Sequence, residues 1–201
     1  MINKYIIDSL FTNKKSTLAV LYFLLLFYPV FSLCNDFTIS LDSFRWIHLI
    51  LAIFFLIAAF FEEFVFRYVL PELFGKCLIK LLVYSCIFSV AHTLNGGFSF
   101  SAFINTVIIS ILLYQMRYEL GFQYAVLFHW LWNSIIAVAF GGVLSGVNVS
   151  KIIENYSSIF QALPEQPLYG VESDWLLTVS MLTTFLIIKL LQHYANNRGT
   201  Y

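Results

Sequence analysis

The sequence predicts an all-α fold, a polytopic membrane helix bundle of about six transmembrane helices with its N- and C-termini cytoplasmic. Three observations carry that prediction. Of 201 residues, 60% are hydrophobic and only 11% charged, where soluble domains have roughly 45–50% and about 25%. The mean hydropathy is +0.83, more apolar surface than a soluble fold of this size can hide, so lipid must be the solvent for most of it. Finally, the basic residues cluster at alternate ends of the apolar runs, the asymmetry that fixes orientation in a bilayer.

The apolar runs, taken in order, are Ser16–Leu33, Phe44–Leu70, Ile79–Leu94, Phe98–Tyr118, Phe122–Phe140 and Asp174–Leu191. Most are near the length of about 20 residues that spans a bilayer, and the second is long enough to require tilt. Pro71 reads as the stop of the second run, because proline lacks an N–H and disfavours helical geometry at the residue before it. Gly96-Gly97 and Gly141-Gly142 punctuate two further boundaries. The first run follows Lys14-Lys15 and resembles a signal peptide, but Phe31-Ser32-Leu33-Cys34 lacks the small residue of a cleavage site. It reads as an uncleaved helix. Residues 1–201 form one integral membrane domain, with 141–173 as an extracytoplasmic loop whose stretch Val149–Leu163 has apolar residues at near-helical spacing and is expected to lie along the interface.

With the N-terminus inside, Lys4, Lys14, Lys15, Arg67, Lys76, Lys80, Arg117, Lys189 and Arg198 fall on or near the inner side, and only Arg45 and Lys151 outside. The outer segments hold Asp36, Asp42, Glu154, Glu165, Glu172 and Asp174 instead. The overall balance of 11 basic and 11 acidic residues leaves no surplus to neutralise phosphates, which argues against nucleic acid as a partner. Cys34, Cys77 and Cys86 form no disulfide framework and no metal-ligand spacing. His48 and His193 fall near opposite membrane boundaries and read as interfacial, as do Trp46, Trp175 and Tyr194 as aromatic-belt anchors.

Against that background the informative residues are ionisable groups inside the spans. Glu62, Glu63 and Arg67 lie in the second run, His92 near the end of the third, and His129 and Asn133 in the fifth. One ionised residue at a helix centre costs roughly 2.5–3.5 kcal/mol on insertion scales. The group must therefore face itself or a wet cavity. Glu63 and Arg67 are an i,i+4 pair in the favourable acid-before-base order, while Glu62 points about 100° away and stays available. His129 and Asn133 share one face of their helix, and Phe88 shares a face with His92, so that its ring walls a pocket. At about 1.5 Å per residue, Glu62 lies about 13 Å from Pro71, His129 about 10 Å from Gly121 and His92 about 18 Å from Lys80, heights that a tilt can reconcile.

These residues suit the addition of water to a carbonyl. A carboxylate takes the proton from water, one imidazole holds the water, and a second imidazole with an amide stabilises the oxyanion. The set Glu62, His92, His129 also has the donor types of a zinc site, although no HExxH pattern is present, and whether a divalent metal takes part stays open. Nucleophilic catalysis is poorly supported, because Ser89 has no GxSxG turn around it.

Glu-Glu-x-x-x-Arg at Glu62, Glu63 and Arg67, Phe-x-x-x-His at Phe88 and His92, and His-x-x-x-Asn at His129 and Asn133 resemble the three motifs of the CPBP (CAAX protease and bacteriocin-processing, or Abi) intramembrane proteases. The resemblance covers residues 60–133, the expected catalytic core, and departs from the family in the bulky run Phe-Gln-Tyr-Ala-Val-Leu-Phe before His129. It implies that Glu62 activates the water, that His92 positions it, that His129 and Asn133 stabilise the oxyanion, and that Glu63, Arg67 and Phe88 support the site. It further implies a multi-pass enzyme of the cell (inner or plasma) membrane, with lipid as its surroundings and a membrane-associated peptide or protein as its substrate. Two other classes were weighed: a non-catalytic binding or immunity protein on the same fold, and a proton-coupled carrier, for which the expected inverted repeats or broken helices are not seen.

Overall fold

The apolar runs fold as helices whose ends lie within about four residues of expectation, except that the last helix runs on to Arg198. The computed structural model describes residues 14–32, 38–161 and 168–198. Lys4, Cys34, Asp36 and Glu165 lie outside the described residues, as do the side chains of Lys14, Tyr194 and Arg198. The helices are α1 Lys14–Ser32, α2 Trp46–Phe74, α3 Leu78–Ala91, α4 Phe100–Glu119, α5 Phe122–Ala139, the single turn α6 Val149–Ile152, and α7 Trp175–Arg198. Among the described residues, α2, α4 and α5 are long and apolar enough to cross a membrane, and the apolar stretches of α1, α3 and α7 are shorter. This is a helical membrane protein.

The longest helix shows how lipid inverts the usual pattern. Along α2 the buried positions include His48, Ala59, Glu63 and Arg67, whereas Ile50, Phe54 and Phe61 are each about 60% exposed. Polar groups face inward because hydrocarbon offers them no hydrogen bonds, and the apolar face needs no cover. α2 packs on α5, α3 on α4, α4 on α5, and α1 on α7. Between α1 and α5, Phe27 meets Phe128 and Trp132 with ring centroids 5.7 and 5.3 Å apart.

Pro71 does not stop α2. The helix runs on to Phe74 and ends at Gly75, whose φ of +98° terminates it. The reason lies one turn earlier, where Phe64–Val69 is π-helical and the Leu70 N–H bonds back to the Val65 carbonyl. Pro71 then falls in the opening turn of the final α segment, Leu70–Phe74, where its missing N–H costs least. A second π segment, Ser134–Ala139, follows directly on Asn133 in α5. Such widened turns occur preferentially beside functional residues, and here each follows a group of candidate site residues.

The segment after α5 is mostly not the expected interfacial helix. Among the described residues of the expected stretch, Val149–Ile152 alone is helical; Ile153 is extended and Asn155 takes a φ of +57°, so the near-helical spacing is not continued. β2 (Val143–Leu144) and β3 (Val147–Asn148) form a hairpin, and β4 (Phe160–Gln161) pairs antiparallel with β1 (Thr38–Ile39). His48, near the start of α2, is 2% exposed, its Nδ1 accepting from the Arg45 N–H at 3.0 Å and its Nε2 donating to the Ser157 carbonyl at 3.0 Å. It fastens this connection to the start of α2. At the opposite end of the bundle, Arg117 Nη2 stands 3.8 Å from Glu72 Oε1, so the ends of α2 and α4 share a side.

Gly170 closes the connection over the bundle. Its φ of +89° and ψ of −166° form a conformation essentially reserved for glycine, and a Cβ there would stand 1.9 Å from the Val143 carbonyl oxygen. The Gly170→Ala variant is expected to lose at least about 2 kcal/mol of stability, read as an earlier thermal unfolding transition in detergent. A change within about 0.5 kcal/mol, the range of ordinary surface substitutions, would show that this backbone is not tightly held.

Candidate functional site

Three helices bring the polar residues together. Glu63 is fully buried and shared: its Oε2 lies 3.3 Å from Arg67 Nε, one helical turn on, and its Oε1 lies 2.9 Å from His129 Nδ1. The i,i+4 pair read from the sequence is present. The bond to His129 was not expected, since spacing within one helix cannot show which group on another it meets. Arg67, 1% exposed, lays its guanidinium 4.2 Å from the centroid of the Phe88 ring, a cation–π contact that places the charge against α3.

Glu62 projects to the other side. Its Oε2 is shielded from solvent and takes no hydrogen bond among the described residues. Two imidazoles face that oxygen, with His129 Nε2 at 3.6 Å and His92 Nε2 at 3.9 Å. Their orientation follows from their other nitrogens. His92 caps the C-terminus of α3, and its Nδ1 lies 2.8 Å from the Phe88 carbonyl, to which it must donate. His129 Nδ1 likewise donates to Glu63. Both rings therefore turn Nε2 toward Glu62. Distances of 3.6–3.9 Å are too long for direct hydrogen bonds. They are the spacings of polar groups bridged by a shared water. Phe88 packs against His92 at 4.7 Å and His129 at 6.2 Å between centroids, the wall its spacing implied.

A cavity of about 440 Å³ opens from this cluster. Glu62, His92, His129 and Asn133 line it together, with Leu51, Phe54, Ile109 and Leu113 giving it an apolar flank. Asn133 is 8% exposed and stands one turn beyond His129. The connection supplies the remaining wall through Ser145, Val149 and Glu172. Glu172 was assigned to the outer loop by its sequence position; the fold turns it inward to 6% exposure. Trp132, next to Asn133 in sequence, donates Nε1–H to Glu172 Oε1 at 3.1 Å. The one sequence signal for that pairing is an acid close before the last apolar run.

All seven motif residues fall within residues 44–135, the segment that matches the sequence profile of the family described as Type II CAAX prenyl endopeptidase Rce1-like. That segment, a little under half of the chain, is similar to the CPBP-family protease core. No curated protein and no solved structure matches it.

The matched segment starts two residues before α2 and ends two after Asn133, so the similarity spans α2 to α4 and most of α5, and α1, α7 and the connection lie outside it. As a zinc site the core fits only in part. Glu62, His92 and His129 have suitable donor atoms, and each imidazole has the second hydrogen bond that orients a ligand. Tetrahedral bonds of about 2.0–2.1 Å would place donors about 3.3 Å apart, whereas these lie at 3.6 and 3.9 Å. Among the described residues, no group of three or more His, Cys, Asp or Glu is set to hold an ion.

Proposed function

We propose that the protein is a multi-pass intramembrane endopeptidase of the cell membrane that hydrolyses a peptide bond with a water activated by Glu62. The observation that carries this reading is the shielded Glu62 Oε2, faced by two imidazole nitrogens at the wall of the cavity. A carboxylate oxygen kept from bulk water without a protein donor is poised to take a proton.

The steps follow from the geometry. Glu62 takes a proton from the water as its oxygen adds to the carbonyl carbon, and His92 Nε2 accepts the water's other hydrogen and so fixes its direction. The carbonyl oxygen gains the electron pair. Asn133 Nδ2–H and, in its imidazolium form, His129 Nε2–H donate to that oxyanion. Glu63 holds the His129 Nδ1 proton throughout, as the acid of a catalytic triad holds its histidine. The tetrahedral centre collapses, the C–N bond breaks, and Glu62 returns its proton to the leaving amine.

A topology of six spans with both termini cytoplasmic is supported by the ends of α2 and α4 sharing a side and by the basic residues that gather there, Lys76, Lys80 and Arg117. The test is processing of a membrane-associated peptide in a reconstituted vesicle. His129→Ala is expected to slow it about 10²–10³-fold, the usual cost of losing an oxyanion donor, with a thermal transition that is lowered by the lost bond to Glu63 but still cooperative. Unchanged processing would remove His129 from the chemistry.

A further inference from the structure

We propose that Glu172 is the specificity-determining residue of this cavity and selects a substrate peptide with a cationic side chain, Lys or Arg, beside the scissile bond. The inference rests on the hydrolytic reading above and names the substrate class for it.

The argument begins with a charge that has no counter-charge. Glu172 is 6% exposed, and among the described residues no Lys, Arg or His lies within ion-pair distance of its carboxylate. The Glu63 carboxylate, equally buried, has Arg67 and His129. Glu172 has only neutral donors: Trp132 Nε1–H at 3.1 Å on Oε1 and Ser145 Oγ–H at 2.5 Å on Oε2. A carboxylate offers about four acceptor directions, so these two leave others open. Burying an ionised carboxylate is costly unless a cation joins it.

The second observation is rigidity. Ser173 N–H and Oγ–H both donate to the Gly170 carbonyl, at 3.0 and 2.8 Å. Asn105 Nδ2 donates to the Glu172 carbonyl oxygen at 2.9 Å. The backbone of Glu172 is thus pinned on both sides, and its side chain is held by α5 and the β2–β3 hairpin. Groups held this firmly and left without a partner charge belong to recognition sites. The third is position, because Glu172 lines the cavity that also holds Glu62, His92 and His129. A peptide bond at Glu62 therefore has neighbouring side chains within this cavity. The apolar flank accepts the methylene stem of Lys or Arg and Glu172 takes its head, as amphipathic side chains prefer.

The experiment uses the purified full chain in vesicles and N-acetylated fluorogenic peptides that differ at one position beside the scissile bond: Lys, Gln, norleucine or Glu. Wild type is expected to cleave the Lys peptide with a kcat/KM about tenfold or more above the Gln and norleucine peptides, since a polar site rejects a ligand that leaves it unpaired. Norleucine keeps the stem and removes the charge. Glu172→Gln, which keeps an acceptor oxygen for Trp132 or Ser145, is expected to level these ratios while still cleaving the Gln peptide. Glu172→Lys is expected to favour the Glu peptide. Equal cleavage of Lys and norleucine peptides by wild type overturns the proposal without any variant, as does an unchanged Lys-to-Gln ratio in Glu172→Gln. Either result leaves the hydrolytic reading standing. Failure of that reading has a different mark: no peptide is cleaved, yet the Lys peptide still binds about tenfold tighter than norleucine in a competition assay.

Discussion

Replacing Glu62 by Gln is expected to abolish peptide hydrolysis, by about 10³-fold or more, while the protein folds and binds peptide as before. The magnitude follows from what the amide cannot do. General-base catalysis alone contributes about 10²–10⁴-fold, and in the proposed sequence Glu62 acts twice, taking the proton from water and returning it to the amine. Glutamine keeps the volume and an oxygen toward His92 and His129 but accepts no proton at neutral pH. Stability should change little, because Glu62 Oε2 takes no protein hydrogen bond and none is lost. Single-turnover hydrolysis in vesicles measures the first effect, and the thermal transition in detergent measures the second. Retained hydrolysis would move the base elsewhere. An immunity phenotype that survives the loss of hydrolysis would favour a binding protein on the same fold.

Much of this site was legible in the sequence because the membrane makes polar residues conspicuous. Each ionisable group inside an apolar run carries a cost that only a partner or a wet cavity removes, so Glu62, Glu63, Arg67, His92, His129 and Asn133 could be named before any fold was known. Helical spacing gave the pairing within one helix, Glu63 with Arg67, and the shared faces of Phe88 with His92 and of His129 with Asn133. Contacts between helices lay beyond it. The bond from His129 to Glu63 depends on the crossing of α2 and α5, and that of Trp132 to Glu172 on a connection that folds back over the bundle. Pro71 was misread for a local reason: the proline rule assumes an α-helix, and the π turn before it changes which carbonyl the next residue needs. The connection was misread because apolar spacing over a dozen residues suits both a helix and a run of short paired strands.

The second large effect should come from Glu63 rather than from the residue that touches water. Glu63→Ala leaves the Arg67 guanidinium buried at 1% exposure with its counter-charge gone, and its Nη1 and Nη2 groups donate to no compensating partner among the described residues. Breaking one side of a buried ion pair costs about 3–5 kcal/mol, so the thermal transition should fall steeply or the protein fail to accumulate. Arg67→Met is expected to cost less, because Glu63 keeps the His129 Nδ1–H and a methionine fills the space against Phe88. The double variant Glu63→Gln with Arg67→Met, which removes both charges and keeps an acceptor for His129, should recover most of the stability of the single Glu63→Ala change. Hydrolysis separates the two roles of Glu63. If it only balances Arg67, the double variant cleaves nearly as well as wild type. If its negative charge stabilises the His129 imidazolium, as the triad comparison requires, cleavage by the double variant stays about 10²-fold or more below wild type despite restored folding. Equal stability of Glu63→Ala and wild type would mean that Arg67 finds another partner in lipid or water, and the shared-carboxylate account of this site would fail.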